Sequence, residues 1–255
     1  ARDYTQPDTY LLNHMIGITM GSISVRGLYD MVKGGKPDAE TLRNLLRELV
    51  EIENSWGSIM DSFRNKISDR FYRRAMDDPE GAAEELKQDL EEYREFKTEW
   101  FPVEGFEQIE RGDITIEEII AEAPRLASDV VALREFELGF FREPVWKRDE
   151  DRHLKKREKM LDEIHPYIAK SFPAHELFIE MEARFQVFLA GLRETEIATA
   201  LALYRNENGA YPKQLKNLAG FFADVVPVDP FTGEPFVYRA ENQGGFPILY
   251  SLGPD

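Results

Sequence analysis

The chain reads as a mainly α protein with a multi-helix body, one long spine helix and a small C-terminal antiparallel β-hairpin. Three observations predict this. Gly and Pro punctuate long, charge-rich, helix-forming stretches over most of the length. An apolar stripe at helical spacing runs through residues 177–192. Beyond Gly209 the pattern changes to aromatic and aliphatic residues alternating with a period of two. The body is expected over 1–173, and the spine helix with its tail over 174–255, the two packed as one compact unit.

Taken in order, Asp8 or Thr9 is placed to cap a first helix ending near Gly34-Gly35. Asp38, after Pro37, is placed to cap a second that ends about Asn54. Further helices are expected over 58–76, 79–100, 116–123, 128–141 and 144–165, with 101–115 as an irregular connection. The run KRDEDRHLKKREK, 147–159, alternates in sign as an exposed helix does. The spine then spans 174 to about 206. Leu177, Met181, Phe185, Phe188 and Leu192 lie along one face, whereas Ile197, Leu201 and Tyr204 lie well around the cylinder. The buried face therefore changes near 193–196, so the first half is expected to pack on the body and the second on the tail.

The tail has a grammar of turns. Asn208-Gly209 supplies a left-handed residue that ends the spine, and Tyr211-Pro212 forbids simple continuation. Pro212 suits the first turn of a short helix, KQLKNL, which Gly220 is expected to close. Asp229-Pro230 imposes a turn in which Asp229 bonds the backbone amides just ahead of it, and Thr232-Gly233 makes the next turn. Two runs, 235–239 and 246–251, flank the polar ENQGG and read as a hairpin. Phe236 and Tyr238 share one face of the first run; Phe246, Ile248 and Tyr250 share one face of the second. A lone hairpin is marginal in water, so this aromatic face is expected to pack on the spine.

Tyr211-Pro212, then Asp229-Pro230 with Gly233 and Pro235, then Ser251, Gly253 and Asp255 occur in the order "Tyr-Pro", "DP-x-x-G-x-P", "S-x-G-x-D". Together with the preceding helix they resemble the C-terminal globular region of the type II secretion major pseudopilins, over about the last quarter of the chain. The resemblance implies structural roles for Tyr204, Gly209, Tyr211, Pro212, Asp229, Pro230, Gly233, Tyr238, Ser251 and Gly253. It also implies a periplasmic or extracellular setting and association with secretion or cell-surface machinery. A pseudopilin's processed hydrophobic N-terminal helix, with its Gly-Phe-Thr-Leu-Ile-Glu-like start, has no counterpart here, so fibre formation is not implied. Asp255 stands where a calcium-binding loop would begin, and one carboxylate is an incomplete calcium motif. A long helical domain before such a tail resembles a group of uncharacterised bacterial proteins, as does the opening run TYLLNHMIGITMGSISVRGLYDMV.

Composition agrees with that setting. The 255 residues carry 32 Lys+Arg against 48 Asp+Glu, a net charge of −16. This argues against a nucleic-acid partner, which would need clustered basic side chains. Residues 197–255 hold 4 basic and 6 acidic side chains, leaving 28 against 42 for the rest, so the excess acid belongs to the helices. With no cysteine, disulfides, thiol catalysis and thiolate metal sites are excluded. The opening Ala1 points to a removed targeting segment, anchor or earlier sequence, which would supply any membrane contact. The most apolar stretch, 11–28, contains Asn13, His14 and Arg26 and reads as a buried helix, with Gly17 and Gly21 at G-x-x-x-G spacing.

Candidate chemistry is sparse. Glu150 and His153 stand at E-x-x-H spacing and Asp162 and His165 at D-x-x-H spacing, each pair able to share a helix face and hold a metal. A dimetal centre takes such ligands from four helices, and these lie on one. His175-Glu176 lacks the second His of H-E-x-x-H, Ser22 and Ser24 near His14 lack a nucleophile elbow, and phosphate loops and the dinucleotide fingerprint are absent. Trp100-Phe101, Phe140-Phe141 with Trp146, and Phe221-Phe222 are candidate ligand-binding aromatics, with core packing as the commoner role. The expectation is a non-catalytic envelope protein with a protein partner and no cofactor. The alternatives are a metal-dependent enzyme using Glu150, His153, Asp162 and His165, and an extracytoplasmic ligand-binding module.

Overall fold

The computed structural model describes residues 7–35, 37–64, 70–96, 104–171, 175–223, 225–240 and 245–253, and the protein is mainly helical over them. Helices α1 (Pro7–Gly34), α2 (Ala39–Arg64), α3 (Arg70–Asp77), α4 (Pro79–Phe96) and α5 (Glu104–Arg111) are followed by α6 (Ile116–Ala121) and α7 (Ala123–Arg142). Then come a 3-10 turn at Val145–Lys147, α8 (Glu150–Glu163), α9 (Pro166–Ser171) and α10 (His175–Asn208). A 3-10 segment, Leu215–Phe221, leads to strands β1 (Val237–Arg239) and β2 (Ile248–Tyr250), which pair antiparallel.

Local chemistry explains both the matches and the departures. Asp38 caps α2 as expected, its Oδ1 accepting from the Thr41 amide at 2.8 Å. That helix runs past the break expected at 54–58, and the Ser55 hydroxyl bonds back to the Ile52 carbonyl at 2.9 Å instead of leaving the helix. α1 begins at Pro7, so Asp8 and Thr9 lie inside its first turn and are not its cap. The connection expected over 101–115 contains α5, because Phe106 and Ile109 form an apolar face that packs on a core. Among the described residues of this connection the irregular part is its end: Gly112 turns at φ +73°, and Thr115 with Glu118 forms a reciprocal capping box for α6. Pro124 sits in the first turn of α7, which therefore starts earlier than 128, and Asp149 caps α8 later than 144.

The chain forms two compact units. One comprises Ala1–Tyr10, Asp61–Glu143 and Arg148–Phe178; the other comprises Leu11–Met60, Pro144–Lys147 and Ile179–Asp255. Most of α1 and α2 thus group with the tail, across the boundary expected at 173/174. The first unit is built on Ile119, Leu126, Leu133 and Ile168, all buried. Ala75, Ala82 and Ala123 form a small-residue contact beside them.

In the second unit α10 serves two clusters. Phe185, Phe188 and Leu192 pack with Ile18 and Val25 of α1 and Leu49 of α2. The side chains of Leu177 and Met181, the start of the expected stripe, lie outside the described residues. Gly21 makes the close α1 approach possible, since a Cβ there would stand 2.8 Å from Phe188 Cε2. Farther along, Ile197, Leu201 and Leu203 pack simultaneously on Tyr29, Val32, Leu42 and Leu46 and on the tail residues Leu215, Leu218, Phe236 and Leu249. The second half of the spine therefore holds the tail and the first two helices in one core.

The hairpin presents a different β2 face from the one expected. Tyr238 lies opposite Leu249, and directly opposed residues share a face, so the inward residue of β2 is Leu249 at 4% exposure. Ile248 and Tyr250 point outward at 42% and 41%. Phe246 precedes the strand and packs edge-on against Tyr29 and Tyr211, with ring centroids 6.3 and 5.7 Å away. Gly220 lies within the 3-10 segment and does not terminate it; Phe222 follows as the cap, and Pro212 stands before the extended Gln214 that opens it. Residues 241–244 of the ENQGG connection lie outside the described residues.

Candidate functional site

The motif residues of the tail close on one another through Asp229, which is 1% exposed. Its Oδ1 accepts from the Phe231 amide at 2.9 Å, the expected Asp-Pro turn bond. Its Oδ2 reaches 22 residues ahead, accepting from the Ser251 hydroxyl at 2.9 Å and the Leu252 amide at 3.0 Å. Ser251 Oγ in turn accepts from the Gly253 amide at 2.9 Å, and Gly253 has φ +73°. One buried carboxylate thus joins the Asp-Pro step to the Ser-x-Gly step. Gly233, at φ +71°, receives the side of the Trp146 ring where a Cβ would stand, so the turn needs glycine for both its backbone and its space.

The other end of the tail is tied to the spine. Gly209 has φ +78° and donates to the Arg205 carbonyl at 2.8 Å, the left-handed cap expected there. Arg205 lies over the Tyr211 ring at 4.9 Å and donates to its hydroxyl at 3.1 Å. Tyr238 donates to the Pro212 carbonyl at 2.6 Å, and burial pushes its own hydroxyl up to about 12. Tyr204 is half-buried against the same core.

Directly beneath lies a cluster that sequence reasoning missed. Arg193 of α10 donates through Nε and Nη2 to Glu53 Oε1 of α2 at 2.9 and 2.7 Å, and through Nη1 to the Val228 carbonyl at 3.0 Å. One guanidinium therefore spans α10, α2 and the residue before Asp229. One turn on, Glu196 is 0% exposed, and among the described residues no donor reaches either of its carboxyl oxygens. Burial, reinforced by the negative charge of Glu53, pushes its carboxyl up to about 8. The neighbouring hydroxyls are spent on the backbone: Thr195 on Gly191 and Thr199 on Thr195, both at 2.8 Å. The available signal was an acidic residue at the head of an apolar run of the spine, IATALAL. The same helix carries Glu194, which accepts from the Tyr29 hydroxyl and is raised by burial against the opposing effects of that bond, Arg26 and Lys33.

The metal candidates are occupied differently. His153 is buried between Phe136 and Phe140, with ring centroids at 4.5 and 4.2 Å, and its Nε2 lies 3.0 Å from Glu137, not against Glu150. Arg157 donates to the other oxygen of Glu137 at 2.6 Å. His165 accepts the Tyr167 amide on Nδ1 at 3.1 Å, while Glu150 and Asp162 are exposed. Among the described residues no three His, Asp or Glu side chains converge as a metal would need. Asp255, His14, Trp100 and Phe101 lie outside the residues whose side chains are described.

The serine and aromatic candidates also have partners. Ser22 and Ser24 donate to the Ile18 and Met20 carbonyls, at 2.8 and 2.9 Å, as helical serines do. Arg148 covers the Phe140 and Phe141 rings at 5.4 and 5.5 Å, and Phe221 and Phe222 pack on the tail core. Among the described residues no helix is long and apolar enough to cross a membrane. No protein-family model, curated protein or solved structure matches the chain.

Proposed function

We propose that the protein is a non-catalytic component of the bacterial envelope, working by interaction with a protein partner of the secretion or cell-surface machinery. The observation that supports it is the closure of the tail on Asp229. The residues that carry the likeness to pseudopilins, Asp229, Ser251 and Gly253, bond to one another as one latch. Their chemistry goes into holding the tail shut; none of it is offered to a substrate. Glu137, buried elsewhere, is likewise engaged in joining helices, with His153 and Arg157. On this reading the helical surface, with its excess of acidic side chains, is the part that meets the partner.

The reading is tested in the native host by fractionation and in-cell crosslinking of the full coding sequence carrying an epitope. Recovery in the periplasmic or cell-surface fraction, crosslinked to a component of the secretion machinery, is the expected result. Recovery in the cytoplasm, or a turnover activity lost on mutation of Glu150, His153, Asp162 or His165 without loss of folding, would overturn it.

A further inference from the structure

We propose that Glu196 and Glu53 share a single proton, and that this proton is the pin holding α2, α10 and the Val228 turn together, withdrawn as the medium becomes alkaline. The inference concerns regulation inside the tail-bearing unit and does not depend on the envelope reading.

The geometry leaves few other arrangements. An ionised Glu196 would sit at 0% exposure with neither oxygen receiving a hydrogen bond. Burying a carboxylate in that condition is among the costliest things a fold can do. The adjacent hydroxyls of Thr195 and Thr199 do not relieve it, because each donates to a helix carbonyl. Arg193 does not relieve it either, since its donors go to Glu53 and Val228. A neutral Glu196 changes the balance: its hydroxyl hydrogen is donated to Glu53, which lies within side-chain hydrogen-bonding reach. Glu53 then holds the negative charge and is matched by Arg193. The resulting chain runs Glu196 to Glu53 to Arg193 to the Val228 carbonyl, one residue before the Asp229 latch.

Among the described residues, the charged groups facing Glu196 are Glu53 from α2 and Arg193 from α10 itself. The tail contributes a carbonyl, and the cations of α1, Arg26 and Lys33, act on Glu194. A second negative charge at this point is therefore opposed by one guanidinium already committed to Glu53. Burial disfavours the charged form, and two carboxylates at one shared site resist double ionisation besides, so the second proton is held well above the ordinary carboxylate range. When it leaves, Glu196 and Glu53 repel, and the guanidinium that spans to Val228 is the contact placed to yield.

The test uses the whole chain, labelled with carbon-13 in its glutamate carboxyls and followed by NMR from pH 4 to pH 10, with Glu196 assigned through its own side-chain and backbone resonances. We expect the Glu196 resonance to titrate with a midpoint near 8. Between pH 7 and 9, amide exchange corrected for its intrinsic rate should rise several-fold at 193–199 and 225–235. Glu196→Gln, which keeps a donor toward Glu53 but cannot ionise, should abolish that rise. Titration of Glu196 in the ordinary range of about 4–5, or an exchange rise that is absent in the wild type or unchanged in Glu196→Gln, would overturn the proposal. Should Glu196→Gln fail to fold, the wild-type titration and exchange decide the matter alone.

Discussion

Asp229 receives two backbone amides and one hydroxyl at a site with almost no access to water, so its loss leaves three donors without an acceptor. Asp229→Ala is expected to destabilise the tail-bearing unit on the order of 3 kcal/mol, read from denaturant unfolding. Ser251→Ala should cost less alone, about 1 kcal/mol, and add little in the Asp229→Ala background, because the two changes remove the same bond. At Gly209 the restriction is on the backbone. A Cβ there would meet no neighbour, so the whole cost of substitution comes from φ +78°. Gly209→Val should cost about 1–2 kcal/mol, more than Gly→Ala at an ordinary exposed loop position; an unchanged midpoint would count against this cap. Asp229, Gly209 and Gly233 were legible in the sequence because turn chemistry is local. Glu196 was not, since its significance depends on what α2 and the tail bring to it. A lone Glu in a helix ordinarily reads as a solvated residue.

At the scale of elements, α10 explains why the apolar stripe changes direction. Its first half meets α1 and α2, while Leu201, 0% exposed, sits where those helices and the tail converge. Leu201→Ala is expected to cost about 3 kcal/mol and the half-buried Tyr204→Ala about 2 kcal/mol, both measurable as shifted denaturant midpoints with unchanged slope. The periodicity revealed the spine, its extent and its change of face. It did not reveal that α1 and α2 share the second face, because the stripe records that a face is buried and not by what. The hairpin failed in a similar way. Alternation in the second run supports either face, and Phe246 made the even-numbered one look apolar; the cross-strand pair of Tyr238 with Leu249 decides for the other. The break expected after Asn54 followed from residues that often leave helices, and Ser55 instead satisfies itself on the helix backbone.

At the scale of the whole molecule, the chain divides into two compact units, each discontinuous in sequence. No local signal announces that Leu11–Met60 will group with Ile179–Asp255, which is why the division expected at 173/174 differs. The tail-bearing unit should be pH-dependent. The unfolded chain releases the Glu196 proton near 4.5, whereas the folded chain keeps it to about 8. Stability therefore falls as pH rises through this window, by roughly 1.4 kcal/mol per pH unit from this one proton, and the decline levels off above the folded value. Melting of wild type and Glu196→Gln across pH 5–9 checks it, the variant being expected to show the shallower profile. The tail completes a core with α1, α2 and α10 and is not an appendage. Amide exchange of the full chain carrying Asp229→Ala tests this most directly. Protection is expected to fall together at the hairpin and around Tyr29, Leu42, Leu46 and Leu201; loss confined to the tail, with those helical positions as protected as in the wild type, would show the tail to be an appendage.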